Sequence, residues 1–126
     1  MKLIINQNEF AIASVEELRA ELARVAEEDF AEVWLRPAAD GASLCALINA
    51  ESAWLMYLRH EGDPGFSTRN PEYSGAEDAT IEYRLANGQL DRYPAAWAVS
   101  TKAALPALEH FFSTSERAPW LQWHED

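Results

Sequence analysis

The chain is short of most things that signal a covalently stapled or nucleic-acid-binding protein. It has one cysteine in 126 residues, which excludes an internal disulfide and any multi-cysteine metal site. Positive charge is scarce: Lys and Arg total 10 against 21 Asp and Glu, a net charge of −11. Such a chain repels phosphate backbones and anionic membrane surfaces, so neither direct nucleic-acid binding nor a membrane-surface role is expected. No window approaches the ~18 consecutive apolar residues of a membrane span. The opening MKLIINQNEF is too short in its apolar part for a signal peptide and has no small-residue cleavage site. The expected address is therefore the cytoplasm. The His-x-Glu and Pro-Cys-x-x-Cys signature of zinc deaminases is missing too.

What is present is a well-supplied core. Apolar residues make up 48% of the chain, enough for one packed domain over residues 1–126. The acid excess has two explanations, solubility or a partner with a basic surface, since complementary potentials speed association.

Residues 2–5 read as a short strand, extended by 10–13. Ser14 followed by Glu17 forms a capping box, and Val15, Leu18, Leu22 and Val25 then make one helical stripe. Strand-like runs follow at 30–36, 43–49 and 53–60, the middle one apolar on both faces as a central strand would be. Short connections between them imply an antiparallel meander. Residues 61–78 have no periodicity and read as one long loop, a length that often marks function. Ile81, Tyr83 and Leu85 alternate before Asn87-Gly88, which predicts a two-residue turn setting Leu85 opposite Leu90 and Arg84 opposite Asp91. Ser100 or Thr101 caps a second helix reaching Ser113, with Pro106 expected to kink it or delay its start. Residues 119–123 read as a last strand. The fold class is α+β, with a mainly antiparallel sheet of five to seven strands and two helices packed on it.

Little in this chain demands chemistry. Cys45 lies in the most apolar strand, unlike a nucleophile. His60, Glu61 and Asp63 are the one cluster that resembles an acid–base or metal site. No catalytic residue, cofactor or metal is expected. Five tryptophans invite either core or interface roles: Trp54 has core spacing, Trp34 shares a face with Glu32 and Arg36, and of Trp120 and Trp123 one should face in and one out.

Four passages together resemble a known family: Gly62-Asp63-Pro64-Gly65-Phe66-Ser67, Tyr73-Ser74-Gly75, the helix ending Phe111-Phe112, and Glu116-Arg117-Ala118-Pro119 leading to Trp123. Their order is similar to that of the bacterial immunity-protein family numbered one in the classification of polymorphic toxins, whose members accompany deaminase toxins. The likeness covers about residues 14–124, and Pro106 departs from it. It implies a non-enzymatic antitoxin, monomeric, that binds a cognate toxin with a basic surface and blocks its active site or substrate groove. Competing readings are an acidic secretion chaperone, which would be a dimer, an immunity protein against a nuclease, or a small hydrolase built on His60, Glu61 and Asp63. The expected partner surface is the 61–78 segment, with Asp63, Phe66, Arg69, Glu72, Tyr73, Glu77 and Asp78. The alternative role for that segment is to close the core over a sheet edge with Phe66 and Tyr73.

Overall fold

The computed structural model describes all residues 1–126. In chain order the elements are β1 (Lys2–Ile5), β2 (Asn8–Ala11), α1 (Val15–Val25), β3 (Phe30–Arg36), β4 (Ser43–Asn49), β5 (Ser52–Leu58), β6 (Phe66–Arg69), β7 (Thr80–Arg84), β8 (Leu90–Pro94), a 3-10 turn (Ala95–Trp97), β9 (Val99–Ser100), α2 (Thr101–Thr114) and β10 (Gln122–Glu125). Eight strands form one antiparallel sheet in the order β10-β6-β5-β4-β3-β1-β2, with β9 beside β5. Strands β7 and β8 form a separate two-stranded ribbon. The class is α+β as the pattern implied, with a main sheet one strand larger than the top of the expected range. Neither helix is long and apolar enough to cross a membrane.

The faces divide by strand parity. Ala31, Val33 and Leu35, Leu44, Ala46 and Ile48, and Ala53, Leu55 and Tyr57 meet Leu18, Leu22 and Val25 of α1 and Ala104, Ala107, Leu108 and Phe111 of α2. Val15 of the expected α1 stripe is only half-buried. Cys45, Leu47 and Trp54 face the other way, under Tyr83 of the ribbon. Burial raises the Cys45 thiol pKa well above its usual value, as befits packing rather than reactivity. Both helices start on serine caps: Ser14 Oγ accepts the Glu17 N–H at 3.2 Å and Ser100 Oγ the Ala103 N–H at 3.1 Å. Helix α2 begins at Thr101 despite Pro106, which sits on its exposed side.

Four local expectations change. Residues 8–11 do not extend β1; they fold back on it through a two-residue turn at Asn6-Gln7, whose φ values are 48° and 75°. No glycine announces this turn. Tertiary contacts hold it instead, with Asn6 Oδ1 accepting the Glu32 N–H at 2.9 Å and Asn6 N–H donating to Glu32 O at 3.0 Å.

The ribbon is shifted by one residue from the expected register: Tyr83 faces Asp91 and Arg84 faces Leu90. Gly88 N–H donates to Leu85 O at 2.9 Å and Leu85 N–H to Gln89 O at 2.8 Å, so three residues, 86–88, make the loop. Only Gly88 takes a positive φ, at 91°, where a two-residue turn of the expected kind needs two such residues. A one-residue slip exchanges the faces of a strand. Here it turns Tyr93 inward, onto Trp54 at a centroid distance of 4.0 Å, and leaves Leu90 52% exposed. Aromatic burial outweighs the Leu85–Leu90 pair.

The 61–78 segment is not one loop. Residues 66–69 are β6, which pairs with β5 at Met56↔Ser67 and Tyr57↔Phe66 and along its length with β10. Ser67 and Thr68 are fully buried polar residues, so no hydrophobic alternation revealed the strand. Thr68 Oγ1 accepts the Leu55 N–H at 3.1 Å and donates to Trp97 O at 3.2 Å, filling the gap where β5 and β6 part. The last strand lies at 122–125 instead of 119–123, and Trp120 stands exposed while Trp123 is half-buried.

Gln7 is exposed and held at positive φ, a conformation that costs an L-residue about 1 kcal/mol. Gln7→Gly should therefore raise the unfolding free energy by roughly 0.5–1 kcal/mol in urea titration. A loss of stability would contradict the left-handed turn.

Candidate functional site

The seven residues expected at a partner surface separate into two groups. Asp63 is buried, its side chain 1% exposed. Its carboxylate accepts the backbone N–H of Arg59 at 2.8 Å, and Nε and Nη2 of the same residue each donate to it at 2.8 Å. That cage lowers the Asp63 pKa far below the usual carboxylate range, chiefly through the Arg59 side-chain bond. Asp63 thus closes the β5–β6 turn, with both carboxylate oxygens engaged by Arg59. Gly65, at φ 76°, has no room for a Cβ, which would run into the Tyr57 carbonyl.

Phe66 lies half-buried beneath two guanidiniums, Arg117 at 3.8 Å and Arg59 at 5.1 Å from the ring centroid. Arg69 stacks on Trp97 at 3.8 Å, donates to Ser67 Oγ at 2.9 Å and Thr68 O at 2.8 Å, and pairs with Asp126 at 3.7 Å. Burial lowers its pKa. Tyr73 turns its hydroxyl back onto its own loop, donating to Ala76 O at 2.7 Å, and its ring occupies the space a side chain at Gly75 would need. Within the chain these partly buried residues build the platform from which the loop extends.

Glu72, Glu77 and Asp78 are different. All three are exposed, and none makes an ion pair within the chain. They sit on the 70–79 loop, which β6 and the Arg69–Trp97 stack anchor at one end. Asn70 N–H donates to Ala96 O at 2.8 Å, and Asn70 Oδ1 accepts the Glu72 N–H at 3.0 Å. Beside the loop runs an open groove of about 560 Å³, bounded by Asn70, Glu72, Val99, Ala103, Trp120 and Leu121. Trp120 was legible only as one half of an in-or-out pair with Trp123; nothing in the spacing set it beside Glu72.

Three of the four passages that carry the family resemblance, all but Tyr73-Ser74-Gly75, meet around Tyr57. Arg117 from the fourth meets Phe66 from the first, Tyr57 O–H donates to Ser115 O at 3.1 Å, and Ala118 O accepts Trp123 Nε1–H at 3.0 Å. They lock the end of α2 and β10 to β6, a structural task. The His60 cluster, by contrast, does not assemble. His60 Nδ1 lies 3.0 Å from Glu61 O, while Asp63 is committed to Arg59. No three His, Cys, Asp or Glu side chains converge to hold a metal ion.

A sequence model of the family described as Immunity protein Imm1 matches residues 6–125. No curated protein matches the chain.

The Asp63–Arg59 bond sets a pH dependence. A carboxylate whose folded pKa is depressed contributes stability that is fully present above its unfolded pKa of about 3.9 and is lost as pH falls through the lower, folded value. Asp63→Asn should therefore unfold at lower urea concentration than wild type at pH 7. The gap should narrow as pH drops below ~4. A gap that stayed constant from pH 7 to pH 2.5 would show that the carboxylate charge is not what holds the turn.

Proposed function

The chain belongs to the Imm1 family of immunity proteins, whose partner is a toxin, and from that premise we propose that it neutralises a deaminase toxin in the cytoplasm by covering a basic nucleic-acid groove with its acidic loop. The observation that carries this reading is the unpaired trio Glu72, Glu77 and Asp78, presented on an anchored loop of a protein with net charge −11. An enzyme that acts on cytosine in a polynucleotide has to bind phosphates and therefore carries positive charge around its active site. An acidic surface of matching extent competes for that site without performing chemistry, and this reading assigns the chain no catalytic residue and no cofactor. Steering by opposite fields raises association rates by about 10–10³-fold, which suits an antidote that must bind before its target acts.

Equimolar chain should abolish cytosine-to-uracil conversion by the toxin domain encoded beside it, read on an oligonucleotide substrate. A toxin that left cytosine intact and cut the strand would redirect the reading to a nuclease. The loop is tested separately. Glu77→Lys with Asp78→Lys should leave the fold unchanged and slow association about tenfold at low ionic strength, with the deficit shrinking above 0.15 M salt. Association at the wild-type rate in low salt would remove the loop from the steering surface.

A further inference from the structure

The chain covers its own partly exposed indoles with its own arginines. Arg36 lies 4.4 Å from the Trp34 ring centroid and Arg69 lies 3.8 Å from that of Trp97. Trp54 is buried in a stack with Tyr93 and Trp97, and Trp123 is half-buried with its N–H donated to Ala118 O. Trp120 is the exception. It is 52% exposed, one of two large apolar side chains that stand in solvent, and no cation of the chain lies over it. Yet it is held in place: His110 meets it edge-on at 5.3 Å, and Leu121 N–H donates to Ala118 O at 3.3 Å in the turn that carries it.

Trp120 shares its groove with Glu72, whose carboxylate has no partner, and with the apolar Val99, Ala103 and Leu121. Two positive features border the same groove. Arg69 is already stacked on Trp97 and paired with Asp126 at 3.7 Å. The first turn of α2 contributes about half a positive charge, which Ser100 caps and which fades within a turn. The full charge of Glu72, within a chain of net charge −11, outweighs both.

We propose that the groove between Glu72 and Trp120 seats one arginine side chain of the toxin, its guanidinium flat on the indole and bonded to the Glu72 carboxylate. This deepens the proposed function and rests on the toxin being the partner. A planar guanidinium matches both surfaces at once, stacking on the ring and pairing with a carboxylate, where an ammonium offers only a point charge. Its aliphatic stem would lie along Val99 and Leu121. The groove, Glu72 included, then does a different job from Glu77 and Asp78. Rim charges set how fast the partners meet, whereas a desolvated aromatic–arginine anchor sets how long they stay together.

The test measures binding kinetics with the adjacent-encoded toxin domain. Trp120→Ala should raise the dissociation rate about tenfold or more and change association less than about twofold, at both low and moderate salt. Glu72→Gln should raise dissociation about fivefold, and Trp120→Phe should fall between Trp120→Ala and wild type because it keeps a weaker π-face. Circular dichroism and urea midpoints establish that each variant is folded, and Trp120→Phe serves if the alanine variant is not. A wild-type chain that fails to bind the domain would overturn the toxin reading, and this proposal with it. Binding with unchanged dissociation in Trp120→Ala would overturn the groove alone. Faster dissociation in Trp120→Ala but not in Glu72→Gln would show an apolar anchor there and overturn the arginine.

Discussion

Strands β4 and β5 are apolar on both faces, and that single fact dictates the rest of the architecture. A sheet with one buried face needs one cover; this one needs two. The helices supply the first with Leu18, Leu22, Leu108 and Phe111, and the β7–β8 ribbon supplies the second with Tyr83 and Tyr93. The ribbon is too small to stand alone, since an isolated two-stranded ribbon is marginal in water. It stays because Trp54, Tyr93 and Trp97 stack, and because Glu32 Oε2 accepts the Ala86 N–H at 2.9 Å while Asn49 donates to Glu82 O at 2.9 Å. The side chains that complete this second layer also carry Arg69, and through Arg69 they fix the start of the 70–79 loop.

The scarce positive charge has a similar logic. Five arginines, at 36, 59, 69, 84 and 117, lie on aromatic rings of the chain itself. Arg59 and Arg69 also pair with Asp63, Glu125 and Asp126, while Arg36, Arg84 and Arg117 form no ion pair and hold strand, ribbon and turn through their rings alone. The surplus carboxylates face outward with little to screen them. Net charge becomes surface field because of where the arginines go, not only because of how many there are.

Periodic elements were legible in the sequence: α1 from its capping box and stripe, β3 and β5 from alternation, β4 from its continuous apolar run, α2 from Ser100 onward. What escaped shares one physical origin, a local signal overruled by a distant contact. Asn87-Gly88 favours one turn, but Tyr93 must reach Trp54, so the register slips. Ser67 and Thr68 look like loop residues because their polar groups are satisfied by β10, Leu55 and Trp97, partners far away in sequence. Asp63 looks like a surface acid until Arg59 closes around it. Of the candidate site, the exposed acids at 72, 77 and 78 fell within the segment singled out from sequence. The groove with Trp120 needed β6 and β10 to be adjacent, and no pattern in residues 61–78 encodes that.

The join between β6 and β5 is short. In its backbone ladder a two-strand flank meets β5 over two registered residue pairs, where the centre of the sheet pairs over seven; a threonine hydroxyl, the Arg59–Asp63 clasp and the packing of Phe66 and Arg69 supply the rest of the join. Cooperative units of a protein open separately when so little crosses between them. Judged by its ladder to β5, the β6–β10 flank would be expected to exchange its amide hydrogens ahead of β4. Both the acidic loop and Trp120 hang from it. A partner seated there would close the flank as it binds, so part of the binding free energy would appear as slowed exchange in strands the partner never touches.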